Sequence, residues 1–201
     1  MISKKYLKAA LVAALLSTGY AQASGELVFN GDFETYTGTA FSGYTTLAVG
    51  DTTLTGWTVG AQSVDIVNGN YGAISGNSID MLGTPGPGSL QQSLSTVAGQ
   101  KYTLKFDLSE NSDAAPQLYV SFDGGTTLAQ SYLGTGTTHS YMLDFTAGAS
   151  TVLKFTSAAA GNGGAVLDNV SVMAAVPEPE TYGMLLAGLG LLGFIARRRK
   201  A

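Results

Sequence analysis

In Lys101-Tyr-Thr-Leu-Lys-Phe-Asp-Leu108, large apolar residues alternate with polar ones without a break. Because successive side chains of a strand point to opposite faces, Tyr102, Leu104, Phe106 and Leu108 share one face. A helix would spread these residues around its axis instead. The alternation therefore predicts a β-strand with one buried face.

The same period of two recurs along the rest of the chain, in short runs separated by Gly, Ser, Thr and Asn turns. About ten such runs, with a turn every 8–12 residues or so, predict an all-β fold built as an antiparallel β-sandwich, such as a jelly roll. The interval 36–55 is rich in Gly and Thr, and we expect a surface loop there. The other predicted strands cover 27–29, 57–59, 63–67, 78–82, 89–94, 117–122, 139–145, 151–155 and 165–172.

The N-terminus has the pattern of a signal peptide. Three early lysines precede a short apolar run and an Ala-Gln-Ala site that ends at Ala23. The apolar run is too short for a membrane span, so we expect a signal helix over 1–23, cleaved after Ala23. With the C-terminal segment 176–201 also set apart, residues 24–175 are predicted to form one β-sandwich domain, which is long enough to bury a core.

The C-terminal segment 176–201 has three parts in a fixed order. A stiff Pro177-Glu178-Pro179 motif is followed by an uncharged run over 181–196 and a basic end over 197–200. As a helix the run is roughly 24 Å long, short of a bilayer core of about 30 Å. We predict a single transmembrane helix that spans with local thinning and keeps the basic end cytoplasmic.

The exported part is strongly acidic. From Ser24 through Glu180 the only cationic side chains are Lys101, Lys105 and Lys154, against fourteen Asp and Glu, a net charge of −11. Such a surface repels nucleic acid, whose binding needs clustered Lys and Arg. The chain has no cysteine, which excludes disulfides, thiolate nucleophiles and cysteine metal sites.

Two clusters of polar residues are candidates for a metal site. Asn30-Gly-Asp-Phe-Glu34 follows the first predicted strand, and Asp168 lies in the last, on the face that carries Val166, Val170 and Val172 by simple alternation. First and last strands often pair in jelly rolls. A carboxylate on an apolar face is costly unless it is paired, and oxygen ligands suit calcium. We therefore hypothesise one structural Ca²⁺ held by Asn30, Glu34 and Asp168.

The alternative for these residues needs no metal. Asn30 then belongs to a turn, and Asp168 caps the backbone of a loop. Both alternatives remain open at the level of sequence.

Aromatic residues are the candidates for stacking on a sugar ring. Trp57 is the only tryptophan, and it serves either an exposed binding face or the core. Tyr119 alternates out of phase with its apolar neighbours and is expected to point away from the core. Further candidates are Tyr36, Tyr44, Tyr71 and Tyr132.

Catalysis is not favoured by the sequence. His139 is the only histidine, and no nucleophile elbow or zinc-protease motif occurs. Asp107 and Glu110 are the conceivable glycosidase pair, but they lie at a strand end and are expected to face solvent.

The tail resembles the PEP-CTERM sorting signal of exopolysaccharide-producing Gram-negative bacteria. The resemblance implies passage through the secretion machinery, a transient anchor in the inner membrane and removal of the tail by exosortase. It also implies a final location at the cell surface or outside the cell. The matching residues are Pro177, Glu178, Pro179, Arg197, Arg198 and Arg199.

The body resembles the choice-of-anchor C type of PEP-CTERM protein, through six short motifs in order. That group is similar to galactose-binding-like jelly rolls, in which a calcium ion often lies beside the first and last strands. The resemblance implies a non-catalytic protein that binds or organises exopolysaccharide. The alternatives are a self-associating matrix protein without sugar binding and a polysaccharide hydrolase. The motifs are Asn30–Glu34, Gly56-Trp57, Ser63-Val-Asp65, Gly76-Asn-Ser-Ile-Asp80, Gly99-Gln-Lys-Tyr102 and Leu167-Asp-Asn-Val170.

Overall fold

The computed structural model of the chain describes residues 25–111, 117–122, 126–133, 136–158, 163–175 and 179–198. The predicted signal peptide over 1–23 lies outside the described residues, as do Pro177, Glu178 and Arg199 of the sorting signal.

The described residues form thirteen strands and one helix, in agreement with the all-β prediction. The helix, α1, covers Pro179–Arg198. The strands are β1 Tyr44–Ala48, β2 Thr58–Ala61, β3 Ser63–Asn68, β4 Asn77–Asp80, β5 Leu82–Gly83, β6 Gly86–Pro87, β7 Ser89–Leu94, β8 Lys101–Glu110, β9 Gln117–Phe122, β10 Thr126–Leu133, β11 His139–Thr146, β12 Thr151–Ser157 and β13 Ala165–Ala174.

Two antiparallel sheets make up the sandwich. The six-stranded sheet has the order β1-β3-β4-β13-β8-β11, and the five-stranded sheet has the order β10-β9-β12-β7-β2. A small ribbon of β5 and β6 follows β4. The alternation in β8 correctly predicted which face of this strand packs on the core, because Tyr102, Leu104, Phe106 and Leu108 are all buried.

Aromatic side chains join the two sheets in the core. Phe106 of β8 lies edge-on to Phe155 of β12, with ring centroids 5.5 Å apart. Trp57 packs between Phe155 and Phe33, at 6.3 Å and 5.5 Å. Burial of such large rings, together with the aliphatic residues around them, provides the hydrophobic stabilisation of a domain without disulfides.

The predicted first strand over 27–29 is not a strand. The segment runs beside β13 and makes one ladder-like bond, from the Leu27 amide to the Val172 carbonyl at 3.0 Å. The Glu26 carboxylate accepts the Val28 and Val172 amides at 2.9 and 2.8 Å. A side chain thus replaces the backbone acceptor that a regular ladder would supply.

The interval 36–55 contains strand β1, where a loop was predicted. Leu47 is its only buried residue, so the hydrophobic signal of this strand is weak. Its pairing with β3, from Tyr44 opposite Val67 to Ala48 opposite Ser63, makes it an edge strand. An edge strand needs less apolar sequence than a central one.

A β-bulge in β13 corrects the predicted face of Asp168. The register with β8 shifts between Asp168 and Ser171, and Asn169 has a positive φ of 52°. The extra residue reverses the alternation. Leu167, Val170 and Val172 therefore face the core, whereas Asp168 faces the outer side of the sheet, opposite Asp107 of β8.

The tail forms helix α1, as the uncharged run over 181–196 predicted. Its described side chains from Gly183 onward are exposed. Among the helices of the described residues, none is both long and apolar enough to cross a membrane. The helix is therefore confirmed, and the predicted membrane span is not.

Candidate functional site

Four aspartates lie on the outer face of the six-stranded sheet, and the strand register brings them together in pairs. Asp65 of β3 is directly opposite Asp80 of β4. Asp168 of β13 is directly opposite Asp107 of β8. Residues opposite each other in neighbouring strands have Cβ atoms about 4.5–5.5 Å apart. Like charges at this spacing repel unless donors, protons or cations intervene.

The carboxylate of Asp168 is buried among donors from the protein itself. Its Oδ2 accepts the Ser75 amide at 3.2 Å and the Ser78 hydroxyl at 3.0 Å. Its Oδ1 accepts the Asn169 amide at 2.7 Å. Burial raises the pKa of Asp168 to about 6, opposed by these hydrogen bonds and aided by the nearby Glu34 charge. We call Asp168, Ser75, Ser78 and Asn169 the Asp168 cluster.

Asn30 and Glu34 lie near this cluster and hold backbone in place. The Asn30 amide group donates to the Thr35 and Thr55 carbonyls at 3.1 and 2.9 Å, and its Oδ1 accepts the Thr35 amide at 2.8 Å. The Glu34 Oε1 accepts the Asn77 amide at 2.7 Å. The two segments that were expected to meet do meet, because the Val170 amide donates to the Gly31 carbonyl at 2.9 Å.

The three predicted calcium ligands do not form a donor set that suits calcium. Calcium takes six to eight oxygen ligands, whereas Asn30 and Asp168 direct their side-chain oxygens at N–H and O–H donors. No group of three or more His, Cys, Asp or Glu within the described ranges is arranged to hold a metal. The geometry fits the backbone-capping alternative, and the calcium site stays a prediction.

The other acidic pair, Asp65 and Asp80, differs from the Asp168 cluster because one of its carboxylate oxygens has no hydrogen-bond donor among the described residues. Asp80 is buried, and it accepts the Leu82 amide at 2.9 Å and the Asn111 side-chain amide at 2.6 Å. Burial raises the pKa of Asp80 to about 6, and the charge of Asp65 adds to the rise. Asp65 is only 8% exposed. Its Oδ1 accepts no hydrogen bond from any residue that the structure describes.

Asp65 is also destabilised in its charged form. Burial raises its pKa, against the opposing hydrogen bonds from Thr46 and the backbone of Thr84. Leaving a buried acceptor without a donor costs about 1–3 kcal/mol. This oxygen is therefore a strong acceptor that the protein does not satisfy.

The Asp65 side chain lines a cavity of about 280 Å³ on the sheet's outer face, and its unsatisfied Oδ1 is itself buried. Tyr44 and Tyr71 form one wall, with ring centroids 5.4 Å apart and planes at 81°. Both rings are about half exposed, at 51% and 46%. We call this site the Asp65 pocket, and its lining residues are Tyr44, Asp65, Val67, Tyr71, Thr84 and Asn111.

Short backbone links hold the two tyrosines in place. Asn68, at the end of β3, exchanges two hydrogen bonds with Gly43, the neighbour of Tyr44, at 2.9 and 3.2 Å. The Ser109 hydroxyl donates to the Gly72 carbonyl, next to Tyr71. Gly72 has a φ of +75°, and a Cβ there would collide with the Glu110 carbonyl. The loop that presents Tyr71 is therefore built for close approach to β8.

The predicted stacking residues have different outcomes. Trp57 is 2% exposed, and its indole N–H donates to the Asn30 carbonyl at 2.9 Å. A sugar cannot reach this ring, so the structure places Trp57 in the core and corrects the stacking prediction. Tyr119 does point away from the core of the five-stranded sheet and donates to Gln117 at 3.2 Å. Whether it contacts a glycan stays a prediction.

The two carboxylates considered as a glycosidase pair, Asp107 and Glu110, lie on opposite faces of strand β8. Asp107 shares the outer face with Asp168, whereas Glu110 is opposite Ala165, a core residue. Asp107 accepts the Ser140 hydroxyl at 2.5 Å and the Asn169 side-chain amide at 2.9 Å. His139 is exposed and lies 3.2 Å from the Thr137 hydroxyl. Two carboxylates on opposite faces cannot flank one glycosidic bond.

The Asp65 pocket was not predicted as a unit. Tyr44 and Tyr71 were named as stacking candidates, but nothing joined them to Asp65. One signal was present in the sequence. Asp65 lies inside the apolar run Ser63–Asn68, and Asp80 ends the short run Asn77–Asp80. In both strands the apolar residue next to the aspartate faces the core, so the carboxylate lies on the opposite face of the sheet.

Comparison with known families assigns both parts of the chain. Residues 26–173 match the family described as protein of unknown function DUF642. The chain belongs to this family. Residues 175–200 match the PEP-CTERM protein-sorting motif, which confirms the resemblance of the tail and implies export and exosortase processing. No curated protein matches the sequence.

Among solved structures, this DUF642 chain is similar to several carbohydrate-binding modules. A family 35 module from Clostridium thermocellum is 14% identical, with a TM-score of 0.43 over 65% of this chain and 99% of that one. A CBM4 structure is 17% identical, with a TM-score of 0.44 over 74% and 99%. The CBM22-1 xylan-binding domain of Paenibacillus barcinonensis Xyn10C is 15% identical, with a TM-score of 0.43 over 69% and 100%. Likeness at this level transfers no ligand to this chain.

Proposed function

We propose that this DUF642 protein is a non-catalytic, exported protein that binds exopolysaccharide through the Asp65 pocket. In this proposal its body is a galactose-binding-like jelly roll. Its tail holds it briefly at the inner membrane until exosortase releases it to the cell surface or the extracellular matrix. The sorting motif over 175–200 supports the route.

The observation that carries the binding proposal is the combination of groups in the pocket. Two half-exposed tyrosine rings stand beside a buried carboxylate oxygen that has no donor among the described residues. Sugar rings have apolar C–H faces that pack on aromatic rings and hydroxyl edges that donate hydrogen bonds. A binding site usually combines apolar walls with a few directed polar groups in this way.

The charge of the body limits the glycans that fit. No lysine or arginine lines the Asp65 pocket among the described residues. Asp65 and Asp80 would repel a sugar carboxylate or sulfate at close range. A neutral or cationic glycan is therefore the expected ligand.

Retention on immobilised polysaccharides tests the proposal. The exported chain should be retained by at least one polysaccharide extracted from an exopolysaccharide matrix, and the double variant Tyr44→Ala/Tyr71→Ala should pass through. Tyr119→Ala is the matched control, because it removes a tyrosine from the outer face of the other sheet. Loss of retention in the control alone would move the site to the five-stranded sheet.

The two alternatives give different results in the same experiment. A self-associating matrix protein would show no retention on any polysaccharide and would form oligomers in sedimentation at micromolar concentration. A hydrolase would release shorter products from the polysaccharide during incubation. The proposal predicts retention without product release.

A further inference from the structure

The Asp65 pocket lies beside two buried carboxylates that no cationic side chain of the described residues neutralises. Asp65 and Asp80 are opposite each other on β3 and β4, and both are at least nine-tenths buried. The lysines of the body lie on β8 and β12, and none of them lines the pocket. The charged forms of two buried carboxylates at this spacing are stabilised by a positive charge bound beside them, on the side that faces solvent.

The free acceptor positions decide which kind of cation fits. Both oxygens of Asp80 already accept hydrogen bonds, from Leu82 and Asn111. Of the four carboxylate oxygens of Asp65 and Asp80, Asp65 Oδ1 alone is buried without a donor among the residues that the structure describes. One open carboxylate oxygen falls far short of the six to eight ligands that calcium takes. An ammonium group needs few acceptors, since it carries three N–H donors and makes a strong charge-assisted bond to one carboxylate.

The walls of the pocket also favour an organic cation. The Tyr44 and Tyr71 rings meet nearly at right angles beside the cavity, and ammonium groups are attracted to aromatic faces within about 6 Å. The volume of about 280 Å³ lies near the lower end of the range for small-molecule sites. This size suits one sugar unit of a chain that continues into solvent.

We infer that the Asp65 pocket selects glycans that carry a free primary ammonium, which is the chemistry of a deacetylated amino sugar. The ammonium donates to the Asp65 carboxylate, and the sugar ring packs against Tyr44 and Tyr71. N-acetylation removes the positive charge and adds bulk at the same nitrogen, so it weakens binding. This inference rests on the proposed function and specifies the substrate class of that same site.

Titration of the exported chain with three matched trisaccharides, followed by calorimetry at pH 7 and 0.15 M salt, tests the inference. The probes are a glucosamine trisaccharide, its N-acetylated form and a neutral glucose trisaccharide. We expect the glucosamine form to bind about tenfold or more tightly than either of the others, as a charged hydrogen bond in a buried setting implies.

Two charge-matched variants separate the pocket from general attraction to an acidic protein. Asp65→Asn should reduce the preference for the ammonium form to twofold or less. Asp144→Asn makes the same change in net charge at an exposed position on β11, where the carboxylate accepts the Thr103 hydroxyl at 2.7 Å. It should keep the full preference. Melting temperatures of both variants report whether the fold is intact.

The outcomes distinguish this inference from the function it rests on. Equal binding of all three trisaccharides, or tighter binding of the N-acetylated form, overturns the inference and leaves exopolysaccharide binding in place. An equal loss of preference in both variants also overturns it, because net charge then explains the result. Absence of binding to every trisaccharide and polysaccharide overturns both. If Asp65→Asn has a lowered melting temperature, Asp65→Glu is measured in its place. It should change the affinity for the glucosamine trisaccharide more than the affinity for the glucose trisaccharide.

Discussion

The Asp168 cluster and the Asp65 pocket lie on the same face of the same sheet, yet they differ in how their carboxylates are satisfied. Asp168 accepts three hydrogen bonds, from Ser75, Ser78 and Asn169. Asp65 keeps a buried oxygen without a donor among the described residues, and its side chain borders a cavity. The comparison shows that burial of a carboxylate does not by itself indicate a binding site. The decisive feature is an acceptor that the protein leaves open.

The largest expected effect separates the two aspartates by stability. Asp168→Ala should lower the free energy of unfolding by about 3 kcal/mol, because it leaves three buried or half-buried donors without an acceptor. Asp65→Ala should cost less, about 1 kcal/mol, since it frees the Thr46 and Thr84 donors but removes an unsatisfied oxygen and a charge that repels Asp80. Urea denaturation of both variants measures the difference. Equal losses would show that Asp65 is also part of the scaffold.

The pH dependence of stability is the next largest effect. The pKa values of Asp80 and Asp168 are raised from 3.8 to about 6 in the folded protein. Between pH 4 and 6 the native state therefore binds more protons than the unfolded state, so the free energy of unfolding falls as pH rises through this window. Lowering the pH from 7.5 to 5 should stabilise the protein by about 2–3 kcal/mol.

Thermal melting at a series of pH values checks the sign of this dependence. At 2–4 °C or so per kcal/mol for a domain of this size, the melting temperature should rise by several degrees between pH 7.5 and 5. Asp80→Asn should remove a large part of the rise. A melting temperature that increases with pH over this range would mean that both carboxylates are better stabilised in their charged form than their surroundings indicate.

The sequence predicted the core of the fold and not the pairing of the aspartates. Strict alternation predicted β9 and the face of β8 that packs on the other sheet. Asp65 and Asp80 become neighbours only through the register of β3 with β4. Register depends on the turn between strands and on packing across the sandwich. Neither is visible in the local pattern.

One residue accounts for the incorrect assignment of Asp168 to the apolar face. Simple alternation grouped it with Val166, Val170 and Val172, but the bulge at Asn169 reverses the phase. An asparagine tolerates the left-handed conformation better than most residues. The motif Asp168-Asn169 therefore contained a weak signal for the bulge, which alternation alone cannot detect.

Removal of one tyrosine tests whether the pocket wall contributes to binding. Tyr44→Ala or Tyr71→Ala should weaken glycan binding about tenfold, which corresponds to 1.4 kcal/mol. Each should leave the melting temperature nearly unchanged, because both rings are half exposed. Calorimetric titration gives the affinity, with Tyr119→Ala as the control. Full affinity in both single variants would exclude the tyrosine wall from the site.

The smallest expected effect concerns calcium. The protein donors around Asn30 and Asp168 predict that calcium and a chelator give the same melting temperature within about 1 °C. A chelator-sensitive melting temperature, restored by calcium and lost in Asp168→Asn, would establish the predicted structural ion. The Asp168 cluster would then be a metal site whose donors rearrange on binding.

Amide hydrogen exchange of the exported chain, with and without saturating glucosamine trisaccharide, would locate the glycan site on the sandwich. If the glycan binds in the Asp65 pocket, exchange should slow at the backbone of β1, at Asp65–Val67 and in the loop that carries Tyr71, with no change around Asn30 and Asp168. Protection confined to the outer face of the five-stranded sheet, or centred on Asp168, would contradict binding in this pocket.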